Sequence, residues 1–566
     1  MDSFSIILNL ESEDNLKFFK FSNPHLNQEF CEIQDSPLHI KHITGSHYPL
    51  EVIKFENCII YFEGCIYNLT TDKIIENLKK IVNTKDINEK RRHILNFQEI
   101  ADGEFNFYIL NTENNQLINF LFFNDRLGRL QTYYHVNDSF FILSRNLKQV
   151  AKNLPLKNLN SYSICDSLIF GFPLDNKTIF SEISTTNESQ YLEIELNLKT
   201  RALHSRIGSS KIDLNYSHKY KSKHEYIEDV YPILRKSINV RTNFIGTNNF
   251  TCDITGGFDS RTVFGFLLDN PLVKFTSNNI LGNESDTASE LLSRFNLKSK
   301  LTIIPSEELE TDPKIDQLLY HVQNFTGNHL ANKISWQALN SQKKIADLPY
   351  RIGGIGFTDF IRKGIRRDSN SLIQTFLHQN PYGLSINQAI HLLNLSEKEY
   401  LEHINKTIAK WPEKSKEEIH KKFFYLRTLI LQSRLTEDRE RLHYWNIHPL
   451  WNAQLCFRSL QNFPLEWRGY HIHYLLLKKI NADLVGVHIN KSYLDIKNEK
   501  SLKKLDFKEN NKIYLGLKSL LKPSPKKNTH FNSINNIDEF LDSDSTILSG
   551  NAELDYIKLS FKQLNS

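Results

Sequence analysis

Residues Phe250 to Arg261, FTCDITGGFDSR, run from an apolar stretch through Thr255-Gly256-Gly257 into Asp259, Ser260 and Arg261. Adjacent glycines let backbone amides approach a phosphate closely, and a helix opening just beyond them turns its positive end toward the anion. Asp259 is placed to help hold Mg²⁺ against the same oxygens. This is the chemistry of an ATP site. The segment lacks the lysine of GxxxxGK[ST] and the spacing of GxGxxG, so neither common nucleotide fingerprint applies. A plain glycine turn between strand and helix is the simpler alternative. A second stretch of the same kind is Tyr350 to Gly364, YRIGGIGFTDFIRKG, where Gly353-Gly354 breaks an apolar run and Asp359 follows.

Such loops need strands and helices to hold them. Ser3 to Leu10, Cys58 to Phe62, Phe105 to Leu110, Leu117 to Asn124 and Ser139 to Ser144 are short, rich in β-branched and aromatic residues, and bounded by turn formers, which predicts strands of one sheet domain. From Ser217 the apolar spacing turns helical, as in Tyr226, Val230, Ile233 and Leu234. Strand, glycine-rich loop and helix then alternate and recur at Leu348 to Gly356, the signature of a parallel α/β sheet.

At 566 residues, 40% hydrophobic and 24% charged, the chain can bury a full core and divides into about two to four domains. No apolar run approaches the roughly 18 residues of a membrane span, and Met1 to Leu10 lacks a signal-peptide pattern, so the expectation is a cytoplasmic protein without membrane partners. The six cysteines form no CxxC pair and read as reduced core residues. A net charge of +5, with both signs interleaved, gives no support to nucleic-acid binding.

TGGFDS resembles the PP-loop, SGGxDS, of ATP pyrophosphatases. Asp102 to Phe107 (DGEFNF), Asn124 to Tyr134 (NDRLGRLQTYY) and Phe141 to Lys148 (FILSRNLK) resemble the DGxFAF, RDxxGxxPLYY and FASExK segments of asparagine synthetases. Glu63 to Asn68 (EGCIYN) is similar to their NGEIYN, and Ile169 to Phe180 to their interdomain linker. On these segments the chain resembles the asparagine synthetase-like family, which includes β-lactam synthetase and the lasso-peptide cyclases. The resemblance implies mixed α/β and α+β architecture: an N-terminal Ntn-hydrolase-like αββα sandwich over 1–155, a linker over 156–215, a PP-loop parallel α/β domain with helical additions over 216–520, and a tail over 521–566.

Several departures shape the functional expectation. The glutamine-hydrolysing relatives use a cysteine at the mature N-terminus, whose thiolate attacks and whose α-amine serves as base. Here residue 2 is Asp, and Glu63 and Cys65 replace the glutamine-holding Asn and Glu of NGEIYN. Ser3 or Ser5 is the alternative nucleophile. The YRIGGIGFTDF segment resembles SGEGADELFGG, with Thr358 and Asp359 at its acidic pair and Ile355 where relatives carry an amine-handling Glu or Tyr. Glu437, Asp438 and Glu440 are candidate replacements for that base. Lys491, in ADLVGVHINKSY, matches the lysine that stabilises developing negative charge.

The resemblance therefore implies an amide-forming ligase that uses ATP and Mg²⁺. A small-molecule, sugar or peptide carboxylate is activated as an acyl-adenylate, AMP and pyrophosphate are released, and the amine is ammonia or a group on the substrate. Asp259 and Asp359 would position the metal, and Lys491 and Asp259 would be catalytic. Ile254, Thr255, Gly256, Gly257, Asp259, Ser260, Ser277, Gly353 and Gly354 would hold the nucleotide. The rival is a catalytically silent member that binds a nucleotide or a partner protein. Genuine glutamine-using asparagine synthetase stands third.

Overall fold

The computed structural model of the chain describes residues 4–10, 27–32, 38–44, 48–55, 57–113, 116–154, 158–197, 199–200, 202–209, 220–278, 284–304, 348–361, 386–413, 415–434, 437, 441, 444–464, 467–487 and 499–510. Asp2, Ser3, Asp438, Glu440 and Lys491, all named above for possible chemistry, lie outside the described residues.

The first part of the chain supplies two antiparallel sheets. Its elements are β1 (Phe4–Asn9), β2 (Asn27–Glu32), β3 (Leu38–Thr44), β4 (Leu50–Phe55), β5 (Cys58–Ile66), α1 (Thr71–Asn83), α2 (Ile87–Ile100), β6 (Gly103–Glu113), β7 (Gln116–Asn124), β8 (Tyr133–Val136), β9 (Phe140–Ser144), α3 (Leu147–Lys152), α4 (Ser161–Phe170), β10 (Ser184–Thr185), β11 (Gln190–Asn197) and β12 (Ala202–Ser209). One sheet runs β10-β8-β9-β1-β3-β2 and the other β12-β11-β7-β6-β5-β4.

Side-chain alternation builds the layers. Phe4, Ile6 and Leu8 of β1 share a core with Tyr108, Phe120 and Phe122 of the second sheet, so the sheets meet face to face. The intervening Ile7 points the other way, into a cluster with Val150, Ile164 and Leu168 of α3 and α4. On the outer face of the second sheet, Ile74, Leu78 and Ile81 of α1 and Phe97 of α2 cover Phe62, Phe105 and Phe107. Burying each phenylalanine contributes roughly 1.5–3 kcal/mol.

The five segments expected to be strands all fall on strands, β1, β5, β6, β7 and β9. The stretch 156–215 does more than link. It supplies β10, which pairs with β8, and β11, which pairs with β7, so both antiparallel sheets are completed by residues beyond 155. The reason is the period-2 alternation of QYLEIELN, which gives β11 one face for the core.

The second part builds a parallel sheet. The long helix α5 (Lys223–Ile245), capped by Ser222, leads to β13 (Phe250–Asp253), α6 (Phe258–Leu267), β14 (Val273–Asn278), α7 (Glu284–Arg294), β15 (Leu301–Ile304), β16 (Tyr350–Ile352) and α8 (Thr358–Ile361). Beyond these lie α9 (Ile386–Leu392), α10 (Glu397–Ala409), α11 (Lys416–Thr428), β17 (Trp445–Ile447), α12 (Ala453–Asn462), α13 (Tyr470–Ile480) and α14 (Glu499–Asn510). The strand order is β15-β14-β13-β16-β17, with every pairing parallel. The order reverses between β13 and β16, and in open parallel sheets the crevice at such a reversal, beyond the carboxyl ends of the strands, is where ligands bind.

The chain is thus a mixed α/β protein with two antiparallel sheets and one parallel sheet. Tyr48, Cys65, Tyr67, Leu127 and Leu130 from the antiparallel part join one apolar core with β13, β14 and β17. No helix among the described residues is long and apolar enough to cross a membrane.

Candidate functional site

The TGGFDS loop leaves the end of β13, at the reversal of strand order. Its geometry is set by two hydroxyls. Ser260 Oγ accepts from the Thr255 amide at 3.1 Å, and Thr255 Oγ1 accepts from the Gly257 amide at 3.2 Å. The first turn of α6 is thereby folded back on the strand end. Gly257 is the residue before the helix, and a Cβ added to it would meet only Thr255 Oγ1, at 3.4 Å. The loop is therefore open on the Gly257 side. Ile254 is fully buried and donates its amide to the Thr276 carbonyl at 2.8 Å, which ties the loop to β14.

The loop after β16 closes against it. A Cβ on Gly354 would stand 2.8 Å from the carbonyl carbon of Asp259 and from the Ser260 nitrogen, so glycine is required for the two glycine-rich loops to touch. Gly353 is pressed in the same way by the His448 ring, 2.2 Å from where its Cβ would be. The parallel pairing of β13 with β16 brings the two loops together.

Two buried hydroxyls in this region lack hydrogen-bond partners among the described residues, Ser277 Oγ near the end of β14 and Thr358 Oγ1 at the start of α8. A buried polar atom left unsatisfied costs about 1–3 kcal/mol, so each of these hydroxyls is a donor in want of an acceptor. The open Gly257 side, the close Gly354 contact and these hydroxyls fit a nucleotide phosphate chain. For Mg²⁺, Asp259 follows β13 and Asp359 follows β16. Asp359 is 8% exposed and faces Arg427, whose pKa is lowered by burial and partly restored by that carboxylate. Among the described residues no group of three or more His, Cys, Asp or Glu side chains gathers as metal ligands. A Mg²⁺ held by one or two carboxylates and phosphate oxygens needs no such group.

Arg261 connects the loop to the segment that leads toward Lys491. It is fully buried and donates to the Val487 carbonyl at 2.6 Å and to the Gly256 carbonyl at 3.4 Å. Burial brings its pKa down to about 10. Beside the loop, Asp253 accepts from Thr276 Oγ1 at 2.7 Å and pairs with Arg351, a trio across three neighbouring strands that motif reading did not single out. The registers Asp253↔Thr276 and Thr251↔Arg351 produce it.

In the antiparallel part, the positions tied by resemblance to glutamine binding are filled from within. Glu63 is fully buried, accepts from Tyr108 Oη at 2.6 Å, from Asn106 at 3.2 Å and from Tyr48, and pairs with Arg145 at 3.3 Å. Cys65 is buried, and burial together with Glu104 raises its thiol pKa well above the ordinary value. Ser5 is fully buried with its Oγ 2.8 Å from Ser144 Oγ.

Glu437 sits where the two parts meet. Its carboxylate lies 2.8 Å from Arg129 and 2.7 Å from Arg441, accepts from Ser433 Oγ at 2.9 Å, and all three charged side chains are fully buried. The Glu437 carboxylate is thus taken up by two guanidinium groups and a hydroxyl of the chain itself. Nearby, Arg241 of α5 grips Asp102 of the DGEFNF segment through two hydrogen bonds, at 2.8 and 2.9 Å. Burial pushes the Asp102 carboxyl up, but Arg241 outweighs it and holds the group below its usual range. A cavity of about 380 Å³ opens beside this pair, between Asp125, Lys236, Trp451 and Asn452, and no residue of the TGGFDS loop lines it.

No family model matches the chain, and no curated protein does. Among solved structures it is similar to the glutamine phosphoribosylpyrophosphate (PRPP) amidotransferase from B. subtilis complexed with ADP and GMP, at 11% identity and a TM-score of 0.18. That match covers 39% of this chain and 47% of the other, so the chain spans about half the length of that structure.

Proposed function

We propose that the chain is an ATP-dependent ligase that forms amide bonds and has lost glutaminase activity, built from a degenerate Ntn-hydrolase-like amidotransferase domain and a PP-loop synthetase domain. The observation that carries this reading is the position of TGGFDS at the switch point of a parallel sheet, in contact with the Gly353-Gly354 loop of the adjacent strand.

A substrate carboxylate oxygen attacks the α-phosphorus of ATP, and pyrophosphate leaves. An amine nitrogen then attacks the acyl carbon, and AMP leaves. The amides around Gly257 to Ser260 bind phosphate, Ser277 and Thr358 offer hydroxyls to its oxygens, and Lys491 meets the negative charge of the transition state. Mg²⁺, held by Asp259 and Asp359, would neutralise phosphate charge. With Glu63 engaged by Arg145 and Ser5 by Ser144, the amine is ammonia or a group of the substrate itself.

The test is the fate of ATP in the presence of candidate carboxylates. AMP and pyrophosphate are expected, with Asp259→Ala inactive; ADP and phosphate would overturn the assignment. The silent reading draws on one feature, the engagement of Glu437 by two arginines next to a loop that carries Ile355. Tight ATP binding with no cleavage across carboxylates and amines would favour it.

A further inference from the structure

A second cavity, of about 230 Å³, lies away from both glycine-rich loops, and none of Ile254 to Ser260, Ser277 or Gly353 to Asp359 lines it. It is bounded by the 173–179 turn, the start of β8, Trp411 and Pro412 beyond α10, and the helical stretch from Lys422 to Arg434. At ~30 Å³ per water it has room for roughly seven or eight water volumes, the size of a small organic molecule.

Its walls are of two kinds. Tyr133, Leu174, Ile179, Trp411 and Leu426 make an apolar side. The polar side carries four cations, Lys177, Lys410, Lys422 and Arg434, against two carboxylates, Asp175 and Glu188. Lys410 lies 3.3 Å from Asp175 and Lys422 lies 3.7 Å from Glu188, which accounts for both carboxylates. Lys177 has no ion-pair partner among the described residues. Arg434 is 3% exposed; its Nη2 donates to the Leu127 carbonyl at 3.2 Å, while its buried Nε–H has no acceptor among the described residues. Burial would raise Glu188, yet Lys422 and Arg434 together hold its carboxyl below the usual range, while the adjacent buried Glu413, which also feels Lys422, is raised by burial; the four cations thus face three carboxylates, one of them pushed toward its neutral form. A buried guanidinium donor without an acceptor, beside a cavity with surplus cations and an aromatic wall, calls for an anion with an apolar body.

We propose that this cavity is a binding site for a small aryl or alkyl carboxylate, separate from the nucleotide site, with the carboxylate on Arg434 and Lys177 and the apolar body against Trp411. The proposal does not depend on the ligase reading, because its readout is binding alone.

Phenylacetate titrated into the full-length protein by calorimetry is expected to bind saturably at one site, with ATP absent. Phenylacetamide, which keeps the ring and loses the charge, is expected to bind at least about tenfold more weakly, and inorganic phosphate likewise. Lys177→Ala, at an exposed position whose loss leaves the fold intact, and Trp411→Leu should each weaken phenylacetate about tenfold, while Lys80→Ala, on α1, changes nothing. Absence of saturable phenylacetate binding at millimolar concentration overturns the proposal. So does equal binding of phenylacetamide or phosphate, or an affinity unmoved by both Lys177→Ala and Trp411→Leu.

Discussion

Arg129 and Glu437 are 308 residues apart in the chain, yet their side chains meet at 2.8 Å with neither exposed to solvent. Arg129 follows β7 in the antiparallel part, where it also holds Glu104 at 2.7 Å, and Glu437 precedes β17 of the parallel sheet, with His448 3.7 Å away. His448 in turn presses on Gly353. A continuous set of buried contacts thus runs from the core of one part to a glycine-rich loop of the other.

Breaking this pair from one side leaves a buried charge uncompensated, which costs about 3–5 kcal/mol. Arg129→Met strands two carboxylates, Glu104 and Glu437, so it is expected to destabilise more than Glu437→Gln. The double variant should lose less than the sum of the two. Urea unfolding followed by tryptophan fluorescence measures all three, and additivity of the single variants would show that the contact carries no coupling.

Gly354→Ala and Gly257→Ala should behave differently. The Cβ at 354 collides with the backbone of Asp259 and Ser260, whereas the Cβ at 257 meets only a side-chain oxygen at ordinary contact distance. Gly354→Ala is expected to lower stability and abolish nucleotide binding together. Gly257→Ala should keep the wild-type melting temperature and still weaken ATP at least about tenfold, because it crowds the side on which phosphate approaches. Unchanged ATP affinity in Gly257→Ala would remove the phosphate role from that amide.

Glutamine should not be hydrolysed. Glu63 is committed to Arg145, Tyr48 and Tyr108, and an Asp2→Cys variant gains a nucleophile without gaining a pocket. Glutamate release from glutamine by wild type and Asp2→Cys should both match a heat-killed control; steady release by either would show that the pocket survives.

Product should form with glutamine absent. Incorporation of ¹⁵N from ammonium would indicate simple amidation, whereas loss of one water from the substrate without label would indicate ring closure. A strict requirement for glutamine contradicts both routes.

Stability should also depend on Lys148, which is 2% exposed and whose pKa burial lowers to about 7. The folded value lies below the ordinary 10.5, so its contribution is fully present above about pH 10.5 and is lost as pH falls through about 7. Lys148→Met is therefore expected to gain stability over wild type as pH is lowered from 10 to 7, then hold that gain at lower pH. Denaturant midpoints across this range check it, and a constant difference would place the lysine's charge in solvent.

What the sequence determined by itself is local. The Gly256-Gly257 pair, the hydroxyls of Thr255 and Ser260 and the apolar run before them specify a strand, a tight loop and a helix within about a dozen residues. Period-2 and helical spacing located the strands of the antiparallel part and the entry to α5. The absence of a nucleophile at residue 2 was likewise plain from residue type.

Tertiary structure alone decided which distant residues meet. Placing β13 between β14 and β16 assembled the two glycine loops and the Thr276, Asp253 and Arg351 trio, because strand order depends on pairing between segments far apart in the chain. The same holds for charge. Glu437 reads in sequence as one acid in a charged helix, a candidate base, and becomes an interface anchor only when Arg129 and Arg441 close on it. Residues 156–215 read as a connection because their strands find partners only in sheets built mainly from earlier segments. Spacing along a chain encodes the face a side chain presents; what stands opposite that face is set by packing, and ion pairs and site geometry follow from it.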